Sequence, residues 1–269
     1  MPIRDFNTVW DSDNHDRDVS QVNEASWANV RNGSGELVST STDSYIEPFS
    51  QILGNKPDQG GGTLYTNQRV LAPFLLPTWN SDTFNKYFNK INRPHIYHAR
   101  LRLTSRLWTV QETGDDRKYL TKIKLIQGKG VGQSITAADY PFANEGGFDR
   151  SYDDSSDGVT ISATNNVENY IDLNDNAIQD INSMINESGG GYFNIGIVNY
   201  EHDYLNSDPS DVFNVANNFQ KRGVFGCSFW SGHASGDKGP KMTIYFSQSA
   251  GKVRLYTGKL VINAGKITL

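Results

Sequence analysis

Cysteine is almost absent from this chain: the single thiol, Cys227, excludes an intramolecular disulfide. A chain of 269 residues needs no staples, so this fits folding in a reducing compartment without demanding one. A lone cysteine in an apolar run reads as a small buried side chain. Long apolar runs are missing as well, because nowhere do about 18 apolar residues follow one another as a spanning helix requires. Positive charge is scarce and scattered: 25 Lys and Arg stand against 30 Asp and Glu, for a formal charge of -5. No basic stripe exists to neutralise a phosphate backbone, so neither nucleic acid nor membrane is an expected partner. The opening Met1-Pro2-Ile3-Arg4-Asp5-Phe6 has neither the basic start nor the apolar core of a signal peptide, and no export address is expected.

What is present points to strands. Aromatic residues make up 12% of the sequence and 25 glycines punctuate it. Rings suit a pleated, half-buried surface, and glycines suit the turns between strands. Residues 1 to 42 are polar with sparse apolar anchors, Trp10 and Trp27 among them, and read as an extended arm that docks on its own domain or on a neighbouring chain. Residues 43 to 249 carry the main domain. Strands are expected at Tyr45-Ile46, Leu64 to Thr66, Arg69 to Leu76, His98 to Thr104, Leu120 to Gln127, Val159 to Ala163, Val167 to Leu173, Tyr192 to Asn199, Gly223 to Trp230 and Lys241 to Ser247.

Three short helical segments interrupt them. Phe84, Tyr87, Phe88 and Ile91 recur at helical spacing after Ser81. A second helix starts at Asn174 or Asp175, carries Ile178, Ile181, Met184 and Ile185 on one side, and ends at three glycines from Gly189. A helical turn is expected near Val212 to Phe219. Residues 250 to 269 repeat a seven-residue unit, Gly251-Lys252-Val253, Gly258-Lys259-Leu260 and Gly265-Lys266-Ile267, which reads as short strands joined by glycine turns. Such a tail can form a hairpin or add to a sheet edge. The expected fold is an all-β jelly-roll sandwich with short helical insertions, an N-terminal arm and a C-terminal β-tail.

The order of these features resembles the DNRLRE-type jelly rolls, which share the architecture of carbohydrate-binding modules. The resemblance lies in Tyr45-Ile46, the glycine-rich loop at Gly60-Gly61-Gly62, Arg69 to Phe74, Ile96 to Leu103, Tyr170 to Leu173, Tyr192 to Ile197 and Gly239 to Tyr245. It implies either an exported glycan-binding protein or a structural protein of a tailed-phage particle. Without a signal peptide the second is expected: a non-catalytic head decoration, collar or tail component, folded in the host cytoplasm and resident in the virion. Its partners would be other capsid, collar or tail subunits and further copies of itself. Docking is expected through Trp10 and Trp27 of the arm and Leu255, Leu260, Ile262 and Ile267 of the tail.

Candidate chemistry is thin. Glu201-His202-Asp203 offers two carboxylates at i and i+2, facing one way if the segment is a strand, but Leu205 and Asn206 stand where a further acid is needed. Asp153, Ser155, Asp157 and Gly158 match the first half of a calcium loop, yet Thr164 occupies the place of its bidentate acid. His95 and His98, three apart in a strand, should face opposite ways. Gly128 to Ser134 and Gly226 to Trp230 depart from the phosphate-loop and nucleophile-elbow patterns. Trp230, Tyr200 and Tyr204 are the candidate stacking faces for a sugar, with Trp79 and Trp108 as further candidates. No enzyme activity and no cofactor are expected.

Overall fold

The computed structural model describes residues 3–7, 17–24, 26–35, 37–38, 45–55, 62–76, 94–107, 115–128, 139–140, 143–144, 147–148, 150–186, 190–214, 222–232, 234, 237–248, 261–263 and 266–268. The elements in chain order are β1 (Ile3–Asn7), β2 (Arg17–Glu24), α1 (Trp27–Asn32), β3 (Leu37–Val38), β4 (Tyr45–Ile46), β5 (Phe49–Asn55), β6 (Gly62–Leu76) and β7 (Pro94–Thr104). Next come β8 (Asp115–Tyr119), β9 (Lys122–Gln127), β10 (Ala143–Asn144), β11 (Gly147–Phe148), β12 (Val159–Thr160), β13 (Glu168–Asp172) and α2 (Asp175–Asn186). The series ends with β14 (Gly191–Asn199), β15 (Arg222–Gly226), β16 (Phe229–Trp230), β17 (Lys241–Gln248), β18 (Val261–Asn263) and β19 (Lys266–Thr268).

A curled, mostly antiparallel sheet dominates, in the order β12-β9-β14-β6-β5-β15-β8, with β2 and β3 attached along β6. The exception to antiparallel pairing there is β8 on β15. A four-stranded sheet, β1-β17-β7-β13, shares the main core with it. The core joins Val70, Ala72 and Phe74 of β6 and Ile195 and Ile197 of β14 to Leu101 and Leu103 of β7 and Ile244 of β17. Helix α2 adds Ala177, Ile181 and Ile185, so the fold is mixed rather than purely β. Asn174 caps this helix by accepting from the Ala177 N–H at 3.2 Å. Gly190, at φ 84, closes its far end by donating to the Met184 carbonyl at 2.9 Å.

Strand β6 is buried on both faces. Val70, Ala72, Phe74 and Leu76 feed the main core, while Tyr65, Asn67, Arg69 and Leu71 point to the opposite side and are also buried. Pro73 is tolerated in so central a strand for a local reason. Opposite it, Asn194 turns its carbonyl to β9 and accepts from the Gly128 N–H at 3.0 Å, so this pair asks no N–H of the proline.

The outward face of β6 is covered by part of the segment expected to form an arm, which docks on its own domain. Strand β2 pairs with β6, β1 closes the edge of the four-stranded sheet on β17, and α1 packs over β6 with Trp27 and Val30 buried. Trp27 is 5% exposed and lies 6.2 Å from Tyr65, ring to ring, in a cluster with Ile52, Leu120, Phe213 and Phe225. The proposed docking role of Trp27 is therefore corrected: it anchors the segment to its own domain.

Strand β7 carries a bulge. Tyr245 faces His98 while Phe246 faces Ile96, so Tyr97 is the extra residue. The bulge resets the alternation: Ile96 and Ala99 are both buried, which puts His95 and His98 on the same outer face rather than on opposite ones. The helix expected at Phe84 to Ile91 lies outside the described residues. The turn expected near Val212 shows a 3-10 turn at Pro209–Asp211, with 215–219 outside the description. Among the described residues no helix is long and apolar enough to cross a membrane.

Candidate functional site

Among the described residues, two of the clusters that combine guanidinium groups, rings and carboxylates are built in contrasting ways. The first lies under α1 on the outward face of β6. Beyond β14 the chain enters a π-helical turn, Tyr200–Tyr204. Asn199 sets it by accepting from the His202 N–H at 3.1 Å and donating to the Phe225 carbonyl at 2.8 Å. The turn directs Asp203 inward, where its side chain is fully buried against the fully buried Arg69. Arg69 donates from Nε to Asp203 Oδ2 and from Nη2 to Oδ1, each at 2.7 Å. It also donates to the backbone carbonyls of Arg31, at 2.7 Å, and Tyr140, at 2.9 Å.

Arg31 donates from Nε to the Asp203 carbonyl at 2.7 Å, and the Tyr140 hydroxyl donates to the Val30 carbonyl at 2.6 Å. Asn67 donates to that hydroxyl at 3.0 Å and accepts from Ser50 at 2.8 Å. Burial works to lower the Arg69 value, but the Asp203 carboxylate and the Tyr140 phenol together outweigh it and the net direction is upward. Burial pushes the Tyr140 phenol up despite the guanidinium against its ring, so the hydroxyl stays a donor at neutral pH.

This geometry replaces the strand reading of Glu201-His202-Asp203. Asp203 is consumed by Arg69, and His202 is buried against Phe225 with Nδ1 donating to the Ser207 carbonyl at 2.9 Å. The cluster ties α1, the Tyr140 segment and the π turn to β6. Sequence reasoning missed Arg69, Arg31 and Tyr140. The available signal was Arg69 itself, a cation opening an apolar run in a strand that is central to its sheet.

Tyr200 and Tyr204 belong beside this cluster. Their rings stack at 5.6 Å, and Tyr204 stacks on Phe148 at 5.7 Å. Tyr200 is buried on Gly158, whose φ of +72 requires glycine and where a Cβ would meet the ring at 2.6 Å. Tyr200 is thus a packing residue with no free stacking face, which corrects its reading as a sugar platform.

Lys124, also on β9, occupies the carboxylate proposed for calcium. Its ammonium donates to Asp153 Oδ1 at 2.8 Å and to the Ser155 carbonyl at 2.6 Å, while Asp153 Oδ2 accepts from the Leu125 N–H at 2.7 Å. Asp157 pairs with Lys122. Asp153 and Ser155 therefore hold a lysine where the calcium reading placed an ion. Among the described residues no group of three or more His, Cys, Asp or Glu is placed to hold a metal.

The second cluster surrounds Trp230. Strand β16 pairs with β4, which puts Trp230 opposite Tyr45. The Arg106 guanidinium lies 3.9 Å from the Tyr45 ring centre and 5.7 Å from that of Trp230. Its hydrogen bonds are long, 3.3 Å to Glu47 Oε1 and 3.4 Å to the Ser228 hydroxyl. The Trp230 indole N–H donates to Asn166 Oδ1 at 3.0 Å, and Asn166 holds a left-handed φ of 62 to present it. Lys238 brings its ammonium within 4.7 Å of the Trp230 ring. Trp230 is half-buried, and Asn165, Asn166 and Leu107 beside it are exposed.

The other sequence candidates divide plainly. Trp10, Leu255, Leu260, Trp79 and Trp108 lie outside the described residues. Ile262 and Ile267 sit opposite each other in the β18–β19 hairpin, which pairs with no other strand among the described residues. Cys227 is buried in the main core, and burial pushes its thiol up, as befits an inert side chain. No family model matches the chain, and no curated protein matches it.

Proposed function

We propose that the chain is a non-enzymatic structural component of a tailed-phage particle, a decoration, collar or tail subunit built on a jelly-roll domain. Support for the jelly roll comes from the chain path, which alternates between the large sheet (β6, β9, β14) and the four-stranded one (β7, β13, β17) around one core. The observation that carries the assembly reading is the β18–β19 hairpin, a β-structured segment paired only with itself among the described residues. Unpaired strand edges are templates for addition to a neighbouring sheet. Docking thereby moves from Trp27, which the domain keeps for itself, to residues 250 to 269.

Truncation after Gln248 tests this. The shortened chain should keep its fold and thermal transition but fail to enter particles when supplied in place of the full chain. Normal incorporation would sink the reading.

A second reading, a glycan-binding module, is favoured by the Trp230 cluster. There a half-exposed indole is fixed at its N–H by Asn166 and surrounded by exposed amides. Rigid aromatic faces flanked by hydrogen-bonding groups are what sugar rings stack on.

A further inference from the structure

We infer that the Trp230 cluster binds an acidic saccharide, a pyranose bearing a carboxylate or sulfate, with Lys238 as the group that selects the charge. The inference rests on the glycan-binding reading of this cluster and adds the ligand's chemical class.

Charge points to it. Arg106 is shared between Glu47 and the two rings, so its charge is largely spoken for. Asp237, next to Lys238 in the chain, pairs with Lys241 at 3.0 Å and with Arg102 at 3.6 Å. Lys238 makes no hydrogen bond or ion pair among the described residues; its recorded contact is the Trp230 ring. A cation so placed is an unspent positive charge on the face of a stacking residue. A pyranose stacking there displaces the flexible Lys238 side chain from the ring, and an anionic substituent on that sugar then meets the ammonium, in a charge-assisted hydrogen bond about twice as strong as a neutral one.

Preorganisation points the same way. The indole is fixed by its bond to Asn166, and Arg106 holds Tyr45 and Trp230 side by side. Binding therefore has to order little except the lysine itself, which keeps the entropic cost low. The Asn166 and Asn165 amide nitrogens are the groups left for ring hydroxyls, since the Asn166 oxygen accepts from the Trp230 indole and the Asn165 oxygen from the Leu107 N–H. Neutral sugars satisfy the ring and the amides but leave Lys238 unmet.

The test uses the full chain and titration calorimetry with four soluble probes: polygalacturonate, dextran sulfate, neutral dextran and a short duplex DNA. Acidic polysaccharide should bind at least about tenfold more tightly than neutral dextran. Lys238→Gln should remove that preference while leaving weak neutral binding, and Trp230→Ala should abolish both. If Trp230→Ala lowers the thermal transition, Trp230→Phe serves instead, with weakened but charge-selective binding expected.

Each contrary outcome is distinct. Equal binding of acidic and neutral sugars, or an unchanged preference in Lys238→Gln, overturns the charge assignment while the glycan reading survives. Binding of DNA as tightly as polygalacturonate shows plain polyanion attraction and overturns the inference. No binding to any polysaccharide overturns both.

Discussion

The Arg69 and Trp230 clusters use the same ingredients and reach opposite ends. Around Arg69, Nε, Nη1 and Nη2 all find acceptors at 2.7 to 2.9 Å, and the partner carboxylate is as buried as the guanidinium. Around Trp230, the Arg106 guanidinium donates at 3.3 and 3.4 Å, and Lys238 has a ring and no acceptor among the described residues. A closed cluster has no capacity left for a ligand, so its energy goes into holding elements together. An open one keeps polar groups for something outside the chain. The difference is one of satisfaction, since arginine, aromatic ring and carboxylate occur in both.

Breaking the closed cluster should produce the largest effect. Arg69→Ala leaves the Asp203 carboxylate buried without its partner, a situation that costs about 3–5 kcal/mol. Asp203→Ala should cost a similar amount, read from the midpoint of urea unfolding. The double replacement Arg69→Met with Asp203→Leu should recover much of the loss, because apolar groups of similar volume remove the desolvation problem from both sides. A single-variant loss under about 1 kcal/mol would erase the contrast between the clusters.

Trp27→Ala comes next, at about 3 kcal/mol, as expected for truncating a buried ring. This sharpens the comparison by asking whether the covering segment belongs to the fold. Removal of residues 1 to 40 should likewise destabilise the domain, because it strips Val30 and Arg31 from above Arg69. Purified truncated chain with an unchanged transition would return the segment to the status of an arm.

Most strands of the main domain were legible from composition and alternation, and so was α2, with its cap, its apolar side and its glycine end; β5 and β8 were not among the strands expected. Other features were hidden by tertiary context. The arm looked polar because β1 and β2 are added strands that borrow partners from β17 and β6, and pairing leaves no mark in local composition. His95 and His98 were assigned to opposite faces because a bulge at Tyr97 cannot be counted from spacing. Asp203 read as one of a pair of strand carboxylates because its partner, Arg69, lies 134 residues away along the chain. Trp230 was legible as an aromatic, whereas Arg106, Asn166 and Lys238 were not, since only the fold gathers them.

A smaller effect should come from His202, at the margin of the closed cluster. Burial holds its imidazole below the usual value of 6.5, while the Ser207 carbonyl accepting from Nδ1 works the other way. Below pH 6.5 the unfolded chain takes up a proton that the folded chain resists. This contribution is therefore complete above that pH and is lost as pH falls toward the folded value. Thermal transitions at pH 7.5 and pH 5.5 should differ less in His202→Gln than in the parent chain. An identical pH slope in both would place the titrating group elsewhere.

The smallest effect belongs to the open cluster, and its smallness is informative. Lys238 has no hydrogen bond or ion pair to lose among the described residues, so Lys238→Gln should change stability by no more than about 0.5 kcal/mol. The cation's contact with Trp230 is worth about as little at a partly exposed site. A loss above about 1 kcal/mol would mean that the ammonium supports the fold, and the two clusters would then differ in degree only. A stability change within that narrow limit, together with the loss of acidic-saccharide preference, separates the clusters by what their charges serve: Arg69 acts on the chain's own backbone, and Lys238 on a molecule that comes to it.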